Sequence, residues 1–435
     1  MKKQIFILSV LSLLFFPVSS ATLEINGGRA YKYSPNELST GLNMGVYVVS
    51  PIDNLTISFT SESSGNMQMY TFTSSGASSK LPVAGAQQTG NTITLAGGGR
   101  DCGYVVEQGD DAYYFWVSTY IPVSYIENDY TYSNICMSAR IAGEGITIPY
   151  YTITGSMDAV PRKIRYYTWE WDEENQIAVS DVQVEEEVVP ELDDKIVITS
   201  PYQKTLITLI DEIPTKWGSP ASSITTAEEF EPRAIFLHSS VSQTDSKADN
   251  ELEVPLESGV LGGSAPVTVN FKAFVNEDNY VAWQIFRSEA GADDPDPVID
   301  AIYPVEELSY TFKDAGTVYV RLYSENSTCM EYETYTVTIS ESFIDAPNAF
   351  SPGASPGVND EWRVAYKSIV EFRCVIFDRW GQEVCRFEDP SMGWDGYYHG
   401  KLAPPGVYFY VIQARGSDGN EYKLKGHINI IRGRN

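Results

Sequence analysis

Residues 372–387 read FRCVIFDRWGQEVCRF, two largely apolar runs on either side of Asp-Arg-Trp-Gly. The four residues 378–381 suit a hairpin turn that joins one strand at 372–377 to another at 382–387. Pro405-Gly406 is a second turn signal, and it leads into a stretch that alternates from Val407 to Ile412. This part of the chain therefore predicts an antiparallel sheet.

The same alternation of short strands and turn residues extends over the rest of the chain. Runs rich in β-branched and aromatic residues occur at 46–49, 55–59, 146–153, 196–198 and 317–322, separated by Gly, Ser, Asn and Pro. Such residues pack well on a pleated sheet, and no long segment has a helical period. The sequence predicts an all-β chain of tandem immunoglobulin-like β-sandwich domains in a beaded array.

The first twenty-one residues have the composition of a secretory signal peptide. Lys2 and Lys3 precede an almost unbroken apolar run at 5–16, which ends in the small residues around Ala21. The run is too short to span a bilayer as a mature helix, and no other apolar stretch is long enough. We therefore expect an exported mature chain without a transmembrane span.

Charge divides the chain into two compositional regions. The whole sequence has 58 acidic and 30 basic residues, a net charge of −28, which disfavours nucleic-acid binding. Residues 345–435 carry 11 of each sign, so residues 1–344 hold the entire excess. Residues 170–194 alone contain 11 acidic and no basic residues. We interpret this stretch as a solvated surface, with calcium binding as the alternative.

A stretch in the second half of the chain carries a family resemblance. Gly263-Ser264-Ala265-Pro266 is followed by Trp283 in mid-segment and then by Tyr310, Phe312, Gly316 and Val320. This arrangement resembles a PKD-type immunoglobulin-like domain. The sequence departs from that pattern after Trp283, where residues 284–287 replace the usual acidic, Gly-rich turn.

The C-terminal ninety residues carry a more specific set of motifs. They are PNAFSP at 347–352, GVNDEW at 357–362, FDRWGQ at 377–382, GWDG at 393–396, PGVYFY at 405–410 and KGHI at 425–428. In this order and spacing they resemble the gliding-motility type C-terminal domain of Bacteroidota, which is the type B signal of the type IX secretion system. The resemblance implies an immunoglobulin-like domain that the secretion machinery reads, retention at the cell surface, and an outer-membrane barrel of the PorP/SprF kind as partner.

The residues that match this resemblance are the candidate sorting residues. They are Asn348, Phe350, Pro352, Asn359, Asp360, Trp362, Arg379, Trp380, Gly381, Trp394, Asp395, Gly396, Gly406, Tyr408 and Gly426. One departure is the GASPG stretch at 353–357, where the family often has Asn-Gly-Asp-Gly. Because this change removes a carboxylate ligand, we predict no metal at that loop.

These observations predict five segments. They are a signal peptide at 1–21, an N-terminal β-sandwich domain at 22–157, an acidic β-rich domain at 158–257, a PKD-like domain at 258–342 and the C-terminal sorting domain at 343–435.

Two cysteines lie symmetrically about the first hairpin turn. In simple hairpin pairing, Cys374 would lie opposite Cys385, within reach of a disulfide, and an exported protein can hold such a bond. The alternative is that both are small apolar residues at adjacent core positions.

The sequence offers little that indicates catalysis. His238, His399 and His427 are isolated, and no metalloprotease, nucleophile-elbow or phosphate-loop motif occurs. We predict a protein that is not an enzyme, with no catalytic residue, cofactor or metal.

We therefore expect an exported structural or adhesive protein of the cell surface. The alternative is a surface carbohydrate-binding or nutrient-capture protein, in which the aromatic runs at 113–116 and 166–169 stack against sugars. Glycans or other surface proteins are then further partners. Against that alternative, every second aromatic of a strand normally faces the core of its sandwich.

Overall fold

The computed structural model describes residues 21–50, 54–132, 135–191, 193–244, 247–353, 357 and 359–431. The expected signal peptide lies outside these residues except for its last position. The chain divides into two compact units: residues 1–168 with 183–232, and residues 169–182 with 233–435. No helix within the described ranges is long and apolar enough to cross a membrane.

Short strands dominate the chain up to residue 225. They are β1 (Thr22–Asn26), β2 (Ala30–Tyr33), β3 (Gly45–Val49), β4 (Thr56–Thr60), β5 (Gln68–Phe72), β6 (Leu81–Pro82), β7 (Gln87–Thr89), β8 (Thr92–Ala96), β9 (Cys102–Gln108), β10 (Asp111–Thr119), β11 (Tyr125–Asn128), β12 (Ser138–Glu144), β13 (Pro149–Tyr151), β14 (Met157–Ala159), β15 (Arg162–Asp172), β16 (Ile177–Val188), β17 (Lys195–Thr199), β18 (Thr208–Asp211) and β19 (Ser222–Thr225). A short helix α1 (Glu37–Thr40) and 3₁₀ turns at Ala77–Ser79 and Ile213–Trp217 complete this part.

The remaining strands vary from two to eleven residues in length. They are β20 (Leu237–Gln243), β21 (Leu261–Gly263), β22 (Val267–Val275), β23 (Tyr280–Phe286), β24 (Ile299–Tyr303), β25 (Glu307–Phe312), β26 (Gly316–Glu325), β27 (Met330–Ile339), β28 (Phe343–Asp345), β29 (Ala349–Phe350), β30 (Ala365–Lys367), β31 (Ile369–Phe377), β32 (Glu383–Phe387), β33 (Tyr397–Tyr398), β34 (Lys401–Leu402), β35 (Gly406–Gly416) and β36 (Glu421–Ile430). The expected all-β architecture is confirmed.

The central strands of one sheet in the N-terminal sandwich are buried on both faces. Its sheets have the strand orders β1-β4-β8-β7 and β2-β3-β10-β9-β5-β6. Phe59 and Phe115 lie in the core between them. On the other face of the larger sheet, Trp116 packs in a second apolar cluster that contains Tyr150 and Ile213. Every residue of β3 is therefore buried, as in strands that are covered on both sides.

The following sandwich begins before the boundary expected at 157. Strand β12 pairs with β17, which places Ile141 opposite Ile196, and both side chains lie in one core with Ile164 and Leu209. The boundary expected at 157 falls inside this fold because strands from both sides of it share a sheet. Much of the acidic stretch at 170–194 lies in β15, β16 and the turn between them.

The next sandwich is built around Trp283, which is fully buried. Its sheets have the orders β20-β22-β25 and β21-β27-β26-β23-β24, and the indole N–H of Trp283 donates to the carbonyl of Glu306 over 3.2 Å. The boundary expected at 258 is also too late, since β20 pairs with β22 from Leu237 to Gln243. That this segment is PKD-like stays a prediction.

The C-terminal module has a main sheet of order β29-β36-β35-β31-β32 and two small sheets, β28-β30 and β33-β34. Strand β35 lies in the middle of the main sheet and pairs with β36 on one side and β31 on the other. One face of this sheet closes over an apolar core that includes Phe350, Ile376 and Ile412.

Candidate functional site

Two tryptophans of the C-terminal motifs form the centre of the module. Trp362 and Trp394 are fully buried and exchange two backbone hydrogen bonds, of 2.8 and 3.0 Å. The indole N–H of Trp362 donates to the carbonyl of Pro347 over 2.6 Å, and that of Trp394 donates to Tyr397 over 3.0 Å. Since both buried donors are satisfied, each indole is fixed in position as well as buried.

Other motif residues pack on Trp394. The rings of Phe350 and Tyr408 lie 5.4 and 5.0 Å from it, centroid to centroid, and the hydroxyl of Tyr408 donates to the carbonyl of Pro404. Pro352 is buried nearby. These candidate sorting residues thus contribute to the fold of the module through its core.

Asp360 and Asn359 organise the loop between the first two motifs. The carboxylate of Asp360 accepts the amide N–H groups of Gly353 and Gly357, over 2.9 and 2.6 Å. The carbonyl of Asn359 accepts from the amide of Ser351 over 2.8 Å. Both carboxylate oxygens of Asp360 therefore accept hydrogen bonds from the backbone of this loop. Within the described residues, no group of three or more His, Cys, Asp or Glu side chains could hold a metal ion.

Small residues fix the remaining turns and close contacts. Gly396 has φ +79°, and a Cβ atom there would lie 2.8 Å from Pro352. A Cβ atom on Gly426 would lie 2.6–2.8 Å from atoms of the Tyr410 side chain. Hydrogen bonds hold two further motif residues. The carboxylate of Asp395 accepts the amide N–H of Tyr397, and the carbonyl of Asn348 accepts hydrogen bonds from the backbone and side-chain N–H groups of Asn429. Gly406 is the first residue of β35.

The turn at 378–381 is the exposed part of the motif set. The carboxylate of Asp378 accepts the amides of Trp380 and Gln382, each over 2.9 Å, and Gly381 adopts φ +84°. Trp380 is 76% exposed, and the guanidinium of Arg379 lies 4.1 Å from its ring centroid. This turn is therefore exposed to solvent, whereas Trp362 and Trp394 of the neighbouring motifs are buried.

The disulfide considered for Cys374 and Cys385 is not formed, and both are free thiols. A bulge between Ile376 and Phe377 shifts the register, so that Cys374 faces Phe387 and Cys385 faces Ile376. Residues placed diagonally in this way lie farther apart than a disulfide allows. Burial raises the pKa of Cys374 to about 12 and that of Cys385 to about 11, so both act as small core residues.

A row of apolar side chains on β35 was not anticipated from the sequence. Val407, Phe409 and Val411 alternate along the strand and are 44%, 45% and 43% exposed. Phe409 pairs with Phe377 on β31 and His427 on β36, and Val411 pairs with Val375 and Lys425. Paired residues share a face of the sheet. We call this side of the main sheet the open face.

The aromatic runs considered for sugar binding are largely taken up by packing. Phe115 and Trp116 are buried in the two clusters on either side of β10, and Tyr166 is buried as well. Tyr167 is exposed, with its hydroxyl donating to Gln183. Tyr113, Tyr114 and Trp169 are half-buried, so Tyr167 is the most exposed ring of the two runs.

The histidines are distributed over different surroundings. His238 stacks on Trp171 with ring centroids 4.8 Å apart, and burial lowers its pKa from the ordinary 6.5. His399 lies beside Tyr398, and His427 faces Phe409.

Two family models match the chain. Residues 344–430 match the CHU_C type IX secretion signal domain. The C-terminal module is a type IX secretion signal domain. Such a domain implies export to the cell surface. Residues 130–226 match a fibronectin type III domain, and strands β12 to β19 lie within this range.

Solved structures that align with most of the chain do so at low TM-scores. A search of curated proteins found no significant match. Among solved structures, a tetra-tandem repeat from the extending region of a large adhesion protein has a TM-score of 0.19 and 12% identity, covering 89% of this chain and 100% of that one. A Ca²⁺-stabilised adhesin that helps an Antarctic bacterium to reach out and bind ice has a TM-score of 0.19 and 9% identity, covering 95% of this chain and 99% of that one. At these scores we draw no conclusion about function from either.

Proposed function

We propose that this chain is a structural or adhesive protein of the bacterial cell surface, and that its C-terminal signal domain both directs its export and retains it there. An outer-membrane barrel of the PorP/SprF kind is the partner for retention. The domains before the signal form the surface-exposed part and provide contacts rather than chemistry. The observation that carries the proposal is the match of residues 344–430 to a secretion signal.

The geometry of the signal domain supports this proposal. Trp362, Trp394, Phe350 and Tyr408 build one core, so the motif residues maintain a folded domain rather than a linear peptide. A folded signal presents a surface to its receptor. The open face of the main sheet and the turn at Trp380 are exposed parts of that surface.

The packing of the upstream domains supports a structural role. Their large aromatic side chains are used in sandwich cores, as with Phe115, Trp116 and Trp283. The acidic surface that follows from the charge of residues 1–344 keeps an exported protein soluble. Both features suit domains that act as spacers and contact surfaces.

The test of export compares the full-length chain with a version truncated after Ser342. We expect external protease to digest the full-length protein on intact cells, while the truncated protein accumulates in the periplasm. Because Ser342 bonds to Asp418 and Tyr422 in the full chain, thermal unfolding of the truncated protein serves as the folding control. If the truncated protein also reaches the surface, the signal role is wrong.

The test of the structural or adhesive role uses cells that differ only in this protein. We expect cells that display the full-length chain to attach to surfaces or to one another more strongly than deletion cells. Equal attachment, together with specific binding of a soluble glycan by the purified chain, would contradict the adhesive role and favour nutrient capture.

A further inference from the structure

We propose that the open face of the signal domain is the surface that the secretion machinery recognises, through a partner that presents an apolar patch ringed by carboxylates. This inference rests on the proposed function and adds to it which surface is read and by what chemistry. The face is defined by residues on β31, β35 and β36.

The centre of the open face is apolar. Val407, Phe409 and Val411 come from β35, and Val375 and Phe377 lie beside the last two on β31. The β35 residues are each more than two-fifths exposed, although β35 is the middle strand of its sheet. Contiguous exposed apolar side chains in a soluble protein mark an interaction surface.

Basic side chains border this centre. The register places Lys425 beside Val411, and Arg373 and Lys423 lie opposite Gln413 in the neighbouring row. Lys423 pairs with Glu421, and Arg386, opposite Val375, pairs with Glu383. Among the described residues, Lys425 and Arg373 have no ion-pair partner within 4 Å. They leave a net positive edge on the face.

The distribution of charge along the chain indicates the character of the partner. Residues 1–344 hold the entire net charge of −28, whereas the signal domain is close to neutral. An acidic receptor surface would attract the basic edge of the open face and repel the rest of the chain. Attraction at one surface combined with repulsion elsewhere gives specificity.

The same charges disfavour a second copy of the open face as the occupant. Two-fold packing of two such faces with their β35 strands parallel would bring Lys425 and Arg373 of one copy towards the basic edge of the other. Like charges brought together across an interface are unfavourable. A partner with carboxylates around an apolar patch satisfies both parts of the surface.

The experiment measures surface exposure of full-length variants in cells that carry a type IX secretion system. Phe409→Glu and Lys425→Glu change the open face, while Lys425→Arg keeps its charge. Met392→Glu and Lys401→Glu are the matched controls, because both residues are exposed in the same domain but belong to the 391–402 region instead of the main sheet.

We expect Phe409→Glu and Lys425→Glu to lower the protease-accessible fraction by about ten-fold, since one repelled charge in an interface is enough for such a change. The Lys425→Arg variant and both controls should remain at the wild-type level. Thermal unfolding of each purified variant shows whether it is folded. If Phe409→Glu does not fold, the exposed Lys425 position decides the result.

Three outcomes would overturn the proposal. In the first, both open-face variants are exported like wild type while truncation after Ser342 blocks export, so that the signal role stands but another surface is read. In the second, Lys425→Arg loses export as much as Lys425→Glu, which contradicts recognition by charge. In the third, the purified full-length protein sediments as a dimer that Phe409→Glu dissociates, so that a second copy covers the face. Export of the truncated chain would instead refute the proposed function.

Discussion

Strands β10 and β35 are interior strands of two large sheets, yet they differ in what covers them. In β10, Phe115 and Trp116 point to opposite faces, and both are buried. In β35, Tyr408 is buried in the core whereas Phe409 is 45% exposed. One strand holds its unit together from both sides, and the other leaves one face available to a partner.

The difference arises from the surroundings of each strand. The outer face of the β10 sheet is covered by side chains that include Ile148, Tyr150 and Ile213. On the outer face of the β35 sheet, Phe409 lies beside Phe377 and His427 and remains 45% exposed. Covered aromatics contribute to the stability of the fold, whereas exposed ones are the candidates for recognition.

Trp116→Ala is expected to have the largest effect on stability. Trp116 contacts Phe72 and Tyr151, with ring centroids 5.6 and 5.3 Å apart, and removing a buried Trp leaves a large cavity. The free energy of unfolding of the first unit should fall by about 3–5 kcal/mol, as measured by chemical denaturation. A loss below about 1 kcal/mol would mean that the outer face of the β10 sheet is not tightly covered.

Gly396→Ala tests the tight packing within the signal domain and should have the next largest effect on stability. The substitution combines an unfavourable positive φ with a Cβ atom 2.8 Å from Pro352, so we expect a loss of about 2–3 kcal/mol. Gly400→Ala is the matched control, because its φ is +75° but no atom lies within 4 Å of its Cβ position. The control should lose only about 1 kcal/mol, and equal losses would contradict the packing role.

Asp418 provides a pH-dependent test in the second unit. Burial acts to raise its pKa, but hydrogen bonds from Ser342 and Asn420 outweigh it, and the pKa lies below the ordinary 3.8. The carboxylate therefore stabilises the fold fully above about pH 4, and this contribution is lost as pH falls through the lowered folded-state pKa.

The Asp418→Asn variant should be about 1 kcal/mol less stable than wild type at pH 7. The difference should shrink as the pH is lowered below 4, which urea denaturation at several pH values would show. A difference that grows on acidification would contradict this sign.

Trp380→Ala should have the smallest effect on stability. The side chain is 76% exposed and its main contact is with Arg379, so the free energy of unfolding should change by no more than about 0.5 kcal/mol. A loss comparable to that of Trp116→Ala would show that the turn is part of the core. Thermal unfolding of both variants gives the comparison directly.

The sequence predicts the strands well because alternation and turn residues are local signals. The hairpin around Asp378 and the strand after Gly406 lie where the pattern places them. The motif residues of the signal domain can also be recognised from the sequence, because Trp362 and Trp394 belong to the short motifs GVNDEW and GWDG.

Other features depend on residues far apart in the chain. The covering of Trp116 comes from Tyr150 and Ile213, which no local pattern connects with β10. The pairing of β12 with β17 brings together strands on either side of the expected boundary at 157. A single bulge after Ile376 changes which residue faces Cys385. Alternation likewise shows that Phe409 and Tyr408 point to opposite sides but not which side is left open.

The most direct measurement is hydroxyl-radical footprinting of the purified full-length protein, comparing Phe409 with Phe115. The two side chains have the same intrinsic reactivity, and both lie in interior strands of their sheets. We predict strong labelling of Phe409, which is 45% exposed, and protection of Phe115, which is fully buried. Protection of Phe409 in the monomer, or labelling of both residues to the same extent, would contradict the account of a covered sheet and an open face.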